Sequence, residues 1–455
     1  MVKASTPEVL DFVDEGLGHS SYLVDLDDGT ALAIDPPRVP EREIATAAAR
    51  GLTIVWTADT HSHADFVSGG PELRARGSTF FAPAAAELQV PHRGLRDGDR
   101  VAVGAFVLEA IATPGHTPDH LSYVLRDGSG TALALFSGGA LMVGTVGRTD
   151  LLGPEHQTAL AHELFHSLHD RILQLPDDVV VYPTHGAGSF CSAPGGDART
   201  TTIGLERSNN PLLQMMNEDE FVVALLDGFG SFPPYFRRLP EINRRGAHIY
   251  GDLPDLPSLD VEIFRSVLDG GGQLVDVRPI AEFAAGHIPG ALSIELRAVF
   301  ATWLGWLVDA ERPVVFVLDD EQDRRDLVRQ CLDVGVERLA GALAGGMSTW
   351  ERSGLPVATT ALASPGDIPD AVIDVRQHDE YVTGHVPAAQ NVELGSLAAA
   401  DDLPLRDLAV MCGHGERAMT GASLLEREGH ETVTVMLGGP TDWQAATGRE
   451  LVVGE

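Results

Sequence analysis

Cysteine is scarce in this chain, with Cys191, Cys331 and Cys412 the only three in 455 residues. So few and so scattered, they exclude a disulfide framework and a four-cysteine zinc site. Basic residues are also in short supply: 32 Lys and Arg face 66 Asp and Glu, a formal net charge of -34. Without a local basic patch, such a chain is repelled by DNA, RNA and anionic membrane. No apolar run approaches the roughly 18 residues of a membrane span. The opening `MVKASTPEVLDFVDEG` has no apolar signal core. The expectation is a cytoplasmic protein with no nucleic-acid partner and no membrane partner, and a homo-oligomer is left open.

What the chain does have is apolar residues, at 44%, enough for two or three buried cores. Before about residue 210, runs such as `SSYLVDL`, `LTIVWT`, `TALALFSG` and `VVVYPTHG` are bounded by Gly, Pro and Asp and read as strands. `REIATAAARG` and `TALAHELFHSLHDRILQL` carry helical spacing. The prolines of `FGSFPPYFRRLPEINRRG` and `GDLPDLPSLD` mark a connector. Beyond it, `LVDVRPIAEFAAGHIPGALSIEL` (274–296) overlays `VIDVRQHDEYVTGHVPAAQNVEL` (372–394), and each copy later reaches Gly-Gly and a tryptophan. Such an internal repeat with strand–helix alternation predicts two small α/β domains with mostly parallel sheets. The expected organisation is 1–235, a connector over 236–261, and repeats over 262–357 and 358–455.

At the same point of the two repeats, the second has Cys412 in `VMCGHGERAM` and the first has Asp319 in `VFVLDDEQDR`. Cys412 follows a buried strand and opens a helix. Gly413 and Gly415 permit the curvature that turns backbone N–H groups inward, a nest for a thiolate or persulfide. The thiolate can accept an outer sulfur and release it to another nucleophile. Arg417 is expected to fix the loop or the negative end of a substrate. The second repeat resembles a rhodanese, or sulfurtransferase, domain: `CGHGERA` fits that family's Cys-x-x-Gly-x-Arg-Ala loop. The first is similar to the same fold without its nucleophile, because a carboxylate cannot carry sulfane sulfur. Asp276, Arg278, Glu282, Asp374, Arg376 and Glu380 recur in both copies, which points to structural pinning. Cys331 reads as core.

The first domain gathers His61, His63 and Asp65 in `THSHADF`, His116 and His120 in `TPGHTPDH`, and His185 in `YPTHG`, each cluster in a loop beside a strand. Imidazoles two apart on an extended loop, completed by one from a distant loop, suit a catalytic metal with open positions. His162, His166 and His169 line one face of a helix and read as surface; Cys191 reads as core packing beside the cleft. This part, over about 15–210, resembles the metallo-β-lactamase fold, an αββα sandwich. Within it the match is to the glyoxalase II and persulfide dioxygenase branch, through `THSHAD`, `TPGHTPDH`, `GRTDL` and `YPTHGAGSFC`. The resemblance implies that His61, His63 and His116 surround one metal position, and that Asp65, residue 66 and His185 surround a second.

Two departures bear on the chemistry that the resemblance implies. Phe66 stands where two-metal hydrolases of this fold place a histidine, so one ion is expected. Gly139, in `LFSGGALMVG`, stands where the family places the carboxylate of a two-histidine, one-carboxylate iron site. Whether His63 or Asp65 takes the third place is open at this point, as is a domain with no metal at all. The expected cofactor is one Fe(II), with Zn(II) as the alternative. The expected function is oxidation of a low-molecular-weight persulfide to sulfite, coupled to sulfur transfer at Cys412. Thiols, persulfides, thiosulfate and sulfite are then the small-molecule partners. The alternatives are a zinc-dependent thioester hydrolase and a non-enzymatic platform in which only Cys412 works.

Overall fold

The computed structural model describes residues 7–191, 198–400, 403 and 407–454. The chain divides into Met1–Pro254 with Arg329–Gly335, and Asp255–Val328 with Val336–Glu455. Among the described residues, no helix is long and apolar enough to cross a membrane.

The first unit is built on two six-stranded sheets. One takes its strands in chain order: Val9–Asp14, His19–Asp25, Thr30–Ile34, Thr53–Ala58, Thr79–Pro83 and Arg93–Leu95. Its first three strands are antiparallel and the rest parallel. The second sheet runs Thr201–Thr202, Val180–Pro183, Ala132–Gly138, Leu121–Arg126, Phe106–Ala112 and Arg100–Val103.

Strand alternation assigns the faces. Tyr22, Val24, Leu32 and Ile34 point into the space between the sheets, against Leu108, Tyr123, Leu125 and Phe136. Their neighbours Leu23, Ala31 and Ala33 point outward to Ala47 and Leu73 on the helices Glu41–Ala49 and Gly70–Ala75. Both faces of this sheet are therefore apolar, which is why `SYLVDL` and `ALAID` read as near-continuous hydrophobic runs. On the far side, Leu135 and Val181 pack under Leu164, Phe221 and Leu225 from helices Pro154–His166 and Glu218–Asp227. The result is an αββα sandwich.

The second unit holds two five-stranded, wholly parallel sheets with one shared strand order. The first runs Ser258–Leu259, Leu339–Leu343, Val314–Val317, Gln273–Asp276, Leu292–Ser293. The second runs Ala361–Ala363, Val433–Met436, Leu408–Met411, Ala371–Asp374, Gln390–Asn391. The recurring Asp and Arg do equivalent work in each copy. Arg278 clasps Asp276 and donates to the Gly286 carbonyl at 2.8 Å, and Arg376 clasps Asp374 and donates to the Gly384 carbonyl at 2.9 Å. These buried, bidentate pairs tie the end of a strand to the turn that follows the next helix. The two copies pack together: Arg427 donates to the Gly290 and Leu274 carbonyls at 2.8 and 3.0 Å, and Ser423 Oγ accepts the Ser293 N–H.

Candidate metal centre and thiol loop

Loops at one edge of the sandwich carry the clustered histidines, and hydrogen bonds between those loops hold them in place. The Leu121 N–H donates to the Thr60 carbonyl at 2.8 Å, and the Thr184 N–H donates to that of Gly138 at 3.0 Å. His61, His63, His116, His120 and His185 are all buried. Ring centroids of His61, His116 and His185 lie 5.0 to 5.3 Å apart. Nε2 of His61 and Nε2 of His185 approach to 3.3 Å. Two nitrogens bound about 2.1 Å from one ion at a tetrahedral angle stand about 3.4 Å apart, so this spacing fits a shared metal. His61, His63 and His185 also present ligand atoms within 4.8 Å of one another.

His61, His63 and His116 each have the other nitrogen held, as a metal-binding imidazole needs. His61 Nδ1 meets Thr60 Oγ1 at 2.8 Å. His63 Nε2 meets Asp35 Oδ1 at 3.1 Å, leaving its buried Nδ1 without a partner. His116 Nδ1 donates to the Arg148 carbonyl at 2.8 Å. His120 differs: Nε2 accepts the Gly139 N–H at 2.9 Å and Nδ1 meets Thr113 Oγ1 at 2.8 Å, so both nitrogens are used and it serves the scaffold. Thr60 Oγ1 and the ring of His120 leave no room at Gly138, which has φ +57° and where a Cβ would fall 2.4 Å from His120 Nε2.

Asp35 is the organiser that the motifs did not reveal. Fully buried at the end of strand Thr30–Ile34, it accepts the Thr60 N–H at 2.7 Å, the Thr60 hydroxyl at 2.8 Å and the Thr184 hydroxyl, besides His63. Burial alone would raise its pKa, but His63 and these donors together hold it below the ordinary value. Against its own burial, His63 is pushed up to about 9 by Asp35. His61 falls well below its ordinary value through burial and the surrounding imidazoles, and burial takes His116 down to about 3. Both are therefore neutral lone-pair donors at physiological pH. Asp65, buried beside His185 at 3.1 Å, stays ionised because His185 and His63 outweigh its burial.

Asn243 is a second unforeseen organiser, from helix Leu239–Arg245 inside the expected connector. Its amide donates to the carbonyls of His63 and Phe66 at 2.8 and 3.0 Å and accepts the Ser68 N–H at 2.9 Å. Phe66 is fully buried and stacks between His19 and His63, with centroids 4.1 and 4.3 Å away. His19, also missed by motif reading, is buried with neither ring nitrogen hydrogen-bonded.

The place beside Gly139 is filled. A Cβ there would lie 2.2 Å from His116 Cδ2, and one at Gly147 would lie 2.8 Å from His116 Nδ1. The ring of His116 therefore packs closely against two glycines. Cys191, expected as core packing, is buried with its sulfur in ligand range of His116 and His185. Next to the cluster opens a cleft of about 720 Å³, lined among others by Ser62, Thr117, Leu151, Phe236 and Arg237. His162 and His166 engage Glu218 and Asp170 on the surface, away from the cluster.

Cys412 lies at the end of strand Leu408–Met411, 1% exposed, and the Gly415 N–H points at its sulfur at 3.1 Å. Gly415 precedes helix Glu416–Arg427, so that amide is one of the unsatisfied donors of the helix N-terminus. Arg417 lies within the first turn and grips Glu380 through both nitrogens at 2.6 and 2.8 Å. In the first repeat the corresponding loop is plugged. Gln322, opposite Gly415, accepts the Asp319 N–H at 3.0 Å and donates to the Val277 carbonyl at 2.6 Å. Burial and the neighbouring Glu282 push Asp319 up to about 6.

The Rhodanese-like domain model matches residues 260–353 and 358–446. Human mitochondrial persulfide dioxygenase ETHE1 is 33% identical over 210 residues, 44% of this chain and 74% of the human protein. A hydroxyacylglutathione hydrolase of Brucella anthropi is 33% identical over 39% of this chain and 65% of its own length. Among solved structures, a metallo-β-lactamase from Staphylococcus aureus aligns with TM-score 0.65 and 27% identity, over 74% of this chain and 99% of its own. These likenesses, with the buried histidines, imply a bound metal and a place in sulfur metabolism.

Proposed function

Because this chain belongs to the persulfide dioxygenase family, a metallo-β-lactamase-fold domain here fused to two rhodanese-like domains, we propose that it oxidises a low-molecular-weight persulfide and carries sulfane sulfur on Cys412. The observation that carries the reading is Phe66. Buried and stacked on His63, it puts an apolar ring where a second ion would need a ligand, and so favours one ion over the bridged pair of a hydrolase.

His61, His63 and His116 would hold that ion together with His185, which is in ligand range of all three, and Asp65 lies beside them. Iron(II) would supply adjacent open positions at which a persulfide and O2 meet. The chain's own residues do the positioning. Asp35 locks His63, the Arg148 carbonyl locks His116, and Asn243 fixes the loop that bears His63 and Phe66. The cleft beside Thr117 and Phe236 accommodates the thiol portion of the substrate. The balanced reaction is RSSH + O2 + H2O giving RSH, sulfite and two protons.

At Cys412 the thiolate attacks the outer sulfur of thiosulfate or of a persulfide. A new S–S bond forms, the old one breaks, and sulfite or a thiolate departs with the electron pair. The Gly415 amide stabilises the sulfur anion. Arg417, oriented by Glu380, offers a cation beside the loop.

Purified protein that contains iron and consumes O2 when given glutathione persulfide supports this reading. Zinc together with acyl-thioester cleavage overturns it in favour of a hydrolase. Sulfur transfer by intact protein that binds neither metal overturns the oxidative half and leaves Cys412 alone.

A further inference from the structure

We propose that Cys191 supplies the anionic metal ligand that Gly139 withholds, its thiolate joining His116 and His185 around the ion. The proposal rests on the reading that this cluster holds one metal. In this chain a carboxylate at position 139 is excluded as well as missing, since the ring of His116 occupies its place. Imidazoles alone leave a divalent ion its full charge inside a buried pocket, whereas one thiolate reduces it to about +1, as a carboxylate would. Sulfur is also a good ligand for a transition metal alongside imidazole.

The geometry points to Cys191 as the donor. Ligand atoms of His116, His185 and Cys191 lie within 4.8 Å of one another, all in buried residues. An ion with a thiolate at about 2.3 Å and an imidazole at about 2.1 Å, at tetrahedral angles, spaces the two donors about 3.6 Å apart. Closing the set from its limit of 4.8 Å to that spacing takes a contraction of at most about 1.2 Å.

Arg148 binds both sides of this triad. Its carbonyl accepts from His116 Nδ1 at 2.8 Å, while its N–H donates to the Cys191 carbonyl at 3.0 Å. Its guanidinium donates to the Phe190 carbonyl at 2.8 Å and is clamped by Asp150 at 2.6 and 2.8 Å. One residue thus sets the histidine ring and the cysteine loop in register, as a group behind a metal ligand does. Unpartnered polar atoms nearby mark the space as one that awaits a ligand. Nδ1 of His63, whose residue lies in ligand range of His61 and His185, and both nitrogens of His19 are buried without a hydrogen bond.

The test is cobalt(II) added to metal-free, full-length protein, read by absorption. Wild type and C412S should each bind cobalt and show both visible d–d bands and an intense near-ultraviolet thiolate-to-cobalt band. C191S should keep d–d bands and lose the near-ultraviolet band. Wild type with d–d bands but no thiolate band overturns the proposal while leaving the metal reading intact, and needs no variant to fold. Retention of the band in C191S also overturns it. Wild type that binds no cobalt overturns both, and is recognised by the absence of every band.

Discussion

Inserting a side chain at Gly139 tests whether His116 has replaced the carboxylate in space. Gly139→Ala adds one methyl, 2.2 Å from Cδ2 and 2.7 Å from Nε2 of a buried ring. The ring can retreat only by giving up its 2.8 Å hydrogen bond to the Arg148 carbonyl. Overpacking a core costs about 1–3 kcal/mol, and the orphaned His116–Arg148 hydrogen bond about 1–3 kcal/mol more. The sum is about 2–6 kcal/mol of local stability in the metal-free protein. Hydrogen exchange of peptides covering residues 110–125 should therefore accelerate in G139A. Gly139→Asp should behave as badly or worse and should bind metal more weakly than wild type, although it restores the family's residue. Exchange in G139A within about 0.5 kcal/mol of wild type, the scatter expected of harmless surface changes, would refute the steric argument. Tighter metal binding by G139D would refute it too.

C412A should abolish sulfur transfer from thiosulfate while leaving the metal-to-protein ratio unchanged, as measured by a sulfite-release assay beside elemental analysis. H61A combined with H116A should strip the metal, and an unchanged ratio would count against those ligands. E380Q should lower sulfur transfer by freeing Arg417, and should also alter the acid stability of the second unit. Burial would raise the Glu380 pKa, but Arg417 depresses it below the ordinary value. The ion pair therefore stabilises the fold above the ordinary carboxylate range and is lost as pH falls through the lower folded value. Acid titrations of the two proteins should diverge above that window and converge below it; parallel curves would show that the pair contributes nothing.

What could be read in advance was local. `CGHGERA` and `THSHADF` put their chemistry within a few residues, so backbone period alone aims the side chains, and the repeat announced two equivalent sheets that the structure contains. The organisers were illegible because their partners are remote in sequence. Asp35 reaches His63 across 28 positions and Asn243 reaches it across 180, and neither sits in a pattern that differs from an ordinary strand end or a short helix. The neighbours of Cys191 were illegible for a related reason. An isolated cysteine after an apolar run is usually packing, and only the fold brings it against two imidazoles. Phe66 was legible as a lost ligand, but its role as a plate between His19 and His63 required coordinates.

The plugged loop of the first repeat carries a consequence for anyone hoping to duplicate the transfer centre. Reverting Asp319 to cysteine would place sulfur at the correct strand end, yet its own amide would remain bound to the Gln322 carboxamide. Arg324, the counterpart of Arg417, is committed to Ser258 at 2.9 Å. The cradle has been rewired at several positions, so one reversal leaves a thiol with no anion nest, and revival requires the glycine and the arginine contact to return together.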